Sequence, residues 1–99
     1  GAPMISFINL ILTVIDVYSY LVIASAIMSW LVAFNVINPR NDIVRAIGNF
    51  LYQITEPALR PIRNILPNLG GVDISPVILL LLLWFVSSLI REYAYSLLL

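Results

Sequence analysis

Few side chains in this 99-residue chain could do chemistry, because histidine and cysteine are both absent. Their absence removes the usual metal ligands, the thiol nucleophile and the group that titrates near neutral pH. The charged side chains number five acids and five cations, and every cation is an arginine. No pair of catalytic groups at matched positions is evident. We therefore expect a protein that is not an enzyme and that binds no cofactor or metal.

The clearest polar group lies in the middle of the chain. Glu56 and Arg60 stand at i, i+4, and Arg63 follows three residues later, so one helical face would carry an acid and two bases. Asp73 is near enough in sequence to reach these arginines. Two interpretations stay open. The group stabilises the backbone where the chain re-enters a membrane, or its arginines, with Arg45, bind anionic headgroups or a partner protein.

Asp16 is the one charge within the first apolar stretch, where an ionisable group is costly and suggests a functional site. Tyrosines flank it, and aromatic belts mark the headgroup level, so Asp16, Arg91 and Glu92 are alternatively interfacial anchors. At 1.5 Å per residue, Asp16 lies about 27 Å from Phe34 at the end of that stretch. Arg91 lies about 23 Å from Pro76, where the second stretch starts. We predict that Asp16 and Arg91 approach within about 8 Å, across the two spans or between subunits.

Two stripes at helical spacing run along the first apolar stretch. The polar stripe consists of Ser6, Asn9, Thr13 and Asp16. It fits either the lining of a cavity or an N-terminal turn on the outer surface. The small-residue stripe consists of Ser25, Ser29 and Ala33. Small residues permit close approach of helices, within the chain or between copies.

The elements that would position these groups follow from composition. Hydrophobic residues make up 62% of the chain and charged residues 10%, whereas soluble domains carry about 25% charged residues. Two stretches, about residues 5–37 and about 75–99, are long enough to cross a hydrocarbon core. We expect residues 1–3 to be a tag remnant and residues 4–99 to form one membrane domain. The first stretch is too long, and lacks the basic start, for a cleavable signal peptide.

Residues 38–73 are expected to connect the two spans. Within them, residues 42–56 show the periodicity of an amphipathic helix in the membrane interface. Pro57 is predicted to end that helix. Pro61 and Pro67 are predicted to limit the next piece to a turn or two.

The start of the second span carries a sharp signal. Gly70 and Gly71 permit positive φ and a tight return into the membrane, so Gly71→Val should be poorly tolerated. Ser75 is expected to be the N-cap, with its hydroxyl accepting from an unpaired backbone N–H. Pro76 would occupy the first helical position.

The expected fold class is an all-α membrane protein. Two transmembrane helices would form an antiparallel hairpin, joined by a short amphipathic interfacial segment, and the hairpins would assemble as oligomers. Four arginines in the connector, none before the first span and one near the end of the second place the connector in the cytoplasm and both termini outside. Expected partners are the lipid bilayer and a second copy or another membrane protein. Direct nucleic-acid binding is not expected, because no net basic face occurs.

Residues 55–76 carry a recognisable series of short motifs. They read Thr55-Glu56-Pro57, Leu59-Arg60-Pro61-Ile62-Arg63, Ile65-Leu66-Pro67 and Gly70-Gly71-Val72-Asp73-Ile74-Ser75-Pro76. Their order and spacing resemble the YggT family, also called YlmG, of small bacterial membrane proteins with relatives in chloroplasts. Val14-Ile15-Asp16-Val17-Tyr18 and Ser29-Trp30 look like the first span of that family. Many members have an arginine where this chain has Ser25, so a role that needs that arginine is not implied here.

The resemblance implies a two-helix module of the bacterial inner membrane without known catalysis. Members are linked to osmotic and extracytoplasmic stress, salt tolerance and genes of the division cluster, and in plastids to nucleoid distribution and cytochrome assembly. We therefore expect a non-enzymatic module that acts in membrane homeostasis through assembly or through docking of lipid or a partner. The alternative is an oligomeric ion channel or ion-transport component that supports osmotic and salt tolerance.

Overall fold

The computed structural model of the chain describes residues 2–67 and 73–98. They form α1 (Ala2–Ala33), α2 (Asp42–Ile65) and α3 (Ser75–Leu98), and these two ranges contain no strand. The expected all-helical fold is confirmed. Two segments, Pro3–Ala33 and Ser75–Ala94, are long and apolar enough to cross a membrane.

α1 ends earlier than the apolar pattern predicts. The first span was expected to reach about residue 37, but the helix ends at Ala33. Asn35 adopts a left-handed conformation with φ 60°. The N–H of Val36 donates to the carbonyl of Leu31 at 2.8 Å, and that of Asn35 to the carbonyl of Val32 at 3.1 Å. These two bonds close the end of α1. The left-handed residue that follows the helix is Asn35, and asparagine tolerates this conformation.

α2 begins where an asparagine can cap it. The side chain of Asn41 accepts from the N–H groups of Ile43 at 2.9 Å and Val44 at 3.3 Å. These bonds satisfy two donors that have no partner within the helix. At the other end, Leu66 has extended backbone angles, φ −78° and ψ 146°. A proline restricts the residue before it to such angles, so Pro67 explains the end of α2.

The prediction that Pro57 ends the connector helix is wrong. α2 is one helix of 24 residues with Pro57 and Pro61 inside it. A proline has no N–H, so the carbonyl oxygens of Gln53 and Pro57 lack their usual donors four residues on. Both prolines are exposed, so water or lipid headgroups can reach that side of the helix.

Packing on the opposite side of α2 favours the continuous helix. Leu51, Thr55 and Leu59 are buried there, at positions four residues apart. The connector helix is therefore longer than predicted and packs on the chain, because α2 contacts both α1 and α3. An interior proline costs about 3 kcal/mol, and burial of a few such side chains can offset that cost.

The three helices meet at a small core with one buried residue from each. Val22, Leu59 and Leu79 form this core. The side chains packed around it are Tyr18, Ala58, Ile62, Leu80 and Leu83. Beside it, the end of α1 lies next to the start of α3, since the indole N–H of Trp30 donates to the carbonyl of Asp73 at 3.3 Å.

Candidate functional site

The junction between α2 and α3 holds most of the interacting charges. We call Glu56, Arg60, Arg63, Asp73 and Ser75 the junction cluster. Arg63 lies at its centre: Nη1 donates to Glu56 Oε1 at 2.6 Å, while Nη2 and Nε donate to Asp73 Oδ2 at 2.9 and 3.2 Å. One guanidinium therefore connects α2 to Asp73, two residues before the start of α3.

Glu56 is the buried member of the junction cluster. Its side chain is 8% exposed, whereas that of Arg63 is 41% and that of Arg60 is 64% exposed. A buried carboxylate without a partner is costly. The short hydrogen bond from Arg63 offsets that cost for Glu56. Arg60 is a weaker partner, with Nε 3.6 Å from Glu56 Oε1.

Asp73 organises the start of α3. Its Oδ1 accepts from the backbone N–H of Ser75 at 3.0 Å and from the Ser75 hydroxyl at 2.6 Å. α3 begins at the expected start of the second span, but Ser75 is its first helical residue and Pro76 its second, one position earlier than predicted. The predicted capping role of the Ser75 hydroxyl is wrong, however, because that hydroxyl donates to Asp73 and the Asp73 carboxylate accepts the N–H. A carboxylate at a helix N-terminus is also favoured by the helix dipole.

The hydrogen bonds of Arg63 and Asp73 shift the pKa of each toward its charged form. Burial alone raises the pKa of Asp73, but hydrogen bonds from Ser75 and Arg63 outweigh it, and the pKa lies below its ordinary value of 3.8. Burial alone lowers the pKa of Arg63, but its bonds to Asp73 and Glu56 outweigh that and raise it. The arrangement suits charge pairing between α2 and the start of α3.

Two hydroxyl groups, which the sequence analysis named only within motifs that resemble the family, connect α2 to α1. Thr55 is 1% exposed, and its hydroxyl donates to the Leu51 carbonyl at 2.7 Å and lies 3.3 Å from Ser25 Oγ. Tyr18 donates from its hydroxyl to the Ile54 carbonyl at 2.9 Å. The sequence signal for Thr55 was its polar side chain among the apolar positions of the connector helix.

The small-residue stripe is divided by the structure. Ser25 is half-buried against α2 through Thr55, so it packs within the chain. Ser29 and Ala33 are exposed. Of the remaining predicted site residues, Pro76 is buried in the first turn of α3, whereas Gly70 and Gly71 lie outside the described residues.

The polar stripe of α1 faces away from the core, since its four side chains are exposed. Asp16 belongs to it, and we group Asp16 with Arg91 and Glu92 as the distal charges. All three are exposed, and none of them takes part in an ion pair within the described ranges. The approach of Asp16 to Arg91 within about 8 Å stays a prediction. In the same ranges no three acidic side chains are grouped to hold a metal ion.

The sequence resembles known proteins over nearly its whole length. The family model described as CCB3/YggT matches residues 4–94. The chain is 40% identical over 73 residues to the uncharacterized protein YggT of Escherichia coli K12, an alignment that covers 74% of this chain and 34% of that protein. An uncharacterized protein of Pseudomonas aeruginosa is 40% identical over 76 residues, covering 77% and 34%.

A Haemophilus influenzae protein is 35% identical over 73 residues, covering 74% of this chain and 35% of that protein. The chain thus spans about a third of the length of these curated relatives. No solved structure matches it. Because the family model covers both apolar helices and the junction cluster between them, the chain belongs to the CCB3/YggT family.

Proposed function

We propose that the chain is a non-enzymatic module of the bacterial inner membrane that acts in membrane homeostasis by docking of lipid or a partner protein. In this proposal α1 and α3 cross the bilayer as an antiparallel hairpin, and α2 lies along the cytoplasmic surface as the docking element. The observation that carries the proposal is that α2 has three different faces: one packed on the chain, one polar, and one apolar but exposed.

The three faces of α2 are separated around the helix. Its packed face carries Leu51, Thr55 and Leu59. The exposed polar face carries Asp42, Arg45, Asn49, Gln53, Arg60 and Asn64. The exposed apolar face carries Ile43, Ile47, Phe50 and Ile65. A helix with adjoining polar and apolar exposed faces is favoured at the boundary between water and hydrocarbon.

The prolines of α2 also favour a position of this helix at the boundary between water and hydrocarbon. The carbonyl oxygens left without a helical donor by Pro57 and Pro61 would be costly in hydrocarbon, where no water is available. Beside water or headgroups they find donors. The C-terminal half of α2 is therefore expected at headgroup level, where Arg60 and Arg63 also lie favourably.

The two spans expose apolar surface that the rest of residues 2–67 and 73–98 does not cover. Large apolar side chains on both helices are open, with Leu10 of α1 59% and Trp84 of α3 67% exposed. Apolar surface of this extent favours lipid contact. The bond from Trp30 to Asp73 supports spans that run in opposite directions, and the arginines of the connector favour a cytoplasmic α2.

Single-cysteine labelling tests this proposal without background, because the chain contains no cysteine. Asn49→Cys lies on the polar face of α2, and Phe50→Cys lies next to it on the exposed apolar face. In inside-out vesicles, a membrane-impermeant maleimide should label Asn49→Cys and leave Phe50→Cys unlabelled until detergent is added.

Intact spheroplasts provide the matched control for orientation. There Asn49→Cys should stay unlabelled, while Met4→Cys near the N-terminus should react. Equal labelling of the two α2 positions in vesicles would reject the interfacial helix. Labelling of Asn49→Cys in spheroplasts would reject the cytoplasmic orientation.

A second candidate function is an oligomeric ion pathway, and one observation favours it. The polar stripe of α1 is exposed, and so available to line a space between copies. Two helices cannot enclose a pore, so this function requires a defined oligomer. Ion flux from liposomes containing the pure protein, with Asp16→Asn as the comparison, tests it. Flux no greater than from empty vesicles would reject a channel.

A further inference from the structure

Arg60 and Arg63 look equivalent in sequence, but the structure uses them differently. We propose that Arg60 binds the phosphate of an anionic phospholipid headgroup in the leaflet on which α2 lies. This inference rests on the proposed interfacial position of α2, and it names the ligand of that helix's polar face.

Arg63 uses a donor on each of its three nitrogens within the chain. Its Nε, Nη1 and Nη2 all donate to Glu56 or Asp73. Arg60 differs, since its side chain is 64% exposed and its ion pair to Glu56 is a long one through Nε. Neither Nη of Arg60 donates a hydrogen bond to any described residue. Glu56 thus pairs with Nε of a guanidinium whose two terminal nitrogens have no partner among residues 2–67 and 73–98.

The open side of Arg60 has the chemistry that a phosphate needs. A guanidinium presents two parallel donors that match two phosphate oxygens, in a charge-assisted pair. Asn64 stands four residues later and is exposed, so its amide is a neighbouring donor on the same helical face. A phosphate between Arg60 and Asn64 would accept from both.

The surroundings of Arg60 favour a lipid as the source of that phosphate. Pro57, three residues earlier, and Pro61, next in sequence, are both exposed and apolar. The hydrogen-bond donors of the polar face thus lie beside the exposed apolar face. A phospholipid has a matching arrangement, with its phosphate above its acyl chains. The anionic lipids of a cytoplasmic leaflet also attract arginine by their negative potential.

The other exposed arginines supply matched controls. Arg45 lies on the same helix, and its Nη2 is paired with Asp42 at 2.7 Å. Arg40 lies in the loop before α2 and is exposed. Each of Arg40→Gln, Arg45→Gln and Arg60→Gln removes one positive charge. A purely electrostatic attraction to lipid would therefore be weakened equally by all three.

Native mass spectrometry of the full chain in detergent measures this binding directly. Phosphatidylglycerol and phosphatidylcholine with the same acyl chains are added separately. We expect Arg60→Gln to bind phosphatidylglycerol about five-fold more weakly than the parent chain, with phosphatidylcholine binding unchanged. Arg40→Gln and Arg45→Gln should retain most of the binding. Arg60→Lys keeps the charge without the paired donors, and should bind with intermediate strength.

Two results with the glutamine variants would overturn the inference. One is unchanged phosphatidylglycerol binding by Arg60→Gln with an unchanged unfolding temperature, and the other is an equal loss in all three glutamine variants. Displacement of the lipid by inorganic phosphate alone at equal concentration would reject a lipid as the source. The cysteine labelling of α2 does not depend on Arg60, so a protected Phe50→Cys without lipid preference rejects this inference and leaves the proposed function standing.

Discussion

The junction cluster and the distal charges contain the same kinds of side chain but differ in how they are satisfied. At the junction, Arg63 is bonded to acids on both sides of the gap between α2 and α3. Asp16, near the middle of α1, and Arg91, in the second half of α3, are exposed and form no ion pair among the described residues. The chain stabilises its junction itself, whereas the distal charges depend on what surrounds them.

This difference shows where charges contribute to the fold. A partly buried ion pair with short hydrogen bonds restricts the positions of two helices, but exposed charges are screened and contribute little. Substitutions at the junction should therefore change the stability of the fold. Substitutions of the distal charges should leave it nearly unchanged and act through the bilayer or another copy.

Arg63→Met should have the largest effect. It removes the close partner of buried Glu56 and the partner of Asp73, so we expect the free energy of unfolding to fall by about 2–4 kcal/mol. Unfolding in mixed micelles, followed by circular dichroism, measures it. Arg60→Met is the matched control and should change stability by no more than about 0.5 kcal/mol. Equal losses in the two variants would contradict the different roles assigned to these arginines.

Asp73→Ala should have the next largest effect, of about 1–2 kcal/mol in the same assay, because it removes the acceptor for the N–H and hydroxyl of Ser75. Asp73→Asn keeps an oxygen acceptor and loses the charge. It should therefore cost less than the alanine variant, and the difference between them measures capping apart from the ion pair. A larger loss in Asp73→Asn than in Asp73→Ala would show that Asp73 does not cap α3.

Acid should weaken the junction through Asp73. The pKa of this carboxyl is lowered by folding, so its contribution is fully present above the ordinary value of 3.8 and is lost as pH falls through the lower folded pKa. We expect the free energy of unfolding to decrease as pH falls below about 4. Asp73→Asn should show a smaller decrease over that range. Identical pH profiles for the two proteins would reject Asp73 as a source of the acid sensitivity.

The distal charges should give the smallest effects. Asp16→Asn and Arg91→Gln should each change the free energy of unfolding by less than about 0.5 kcal/mol. Their proximity is a separate question, which cysteines at positions 16 and 91 can answer with a crosslinker that reaches about 8 Å. Absence of the crosslink, within the chain and between chains, would reject the predicted approach.

Local signals predicted much of the fold. The apolar runs of α1 and α3 follow from composition, and the start of α3 at Ser75 follows from Ser75-Pro76 after a polar segment. The grouping of Glu56 with Arg60 and Arg63 follows from helical spacing alone. These features depend on neighbouring residues, so no knowledge of the packing was required.

The failed predictions have a common physical cause. Pro57 is a helix breaker by its local chemistry, yet α2 continues through it because Leu51, Thr55 and Leu59 pack against the two other helices. Likewise a serine before a proline predicts a serine cap, but Asp73 is held nearby by Arg63 and takes that role. In both cases a distant contact outweighs a local preference.

By itself the sequence determined that this chain is helical, apolar and suited to a membrane, and that its charges fall into a central and a distal set. Those properties are local, because composition and helical periodicity do not depend on which helices meet. Only the tertiary structure decided which arginine donates hydrogen bonds from all three nitrogens and which forms a single long ion pair. Arg60 and Arg63 can both reach Glu56 along α2, but Arg63 alone also reaches Asp73 across the gap to α3, and that second acid decides how it is held.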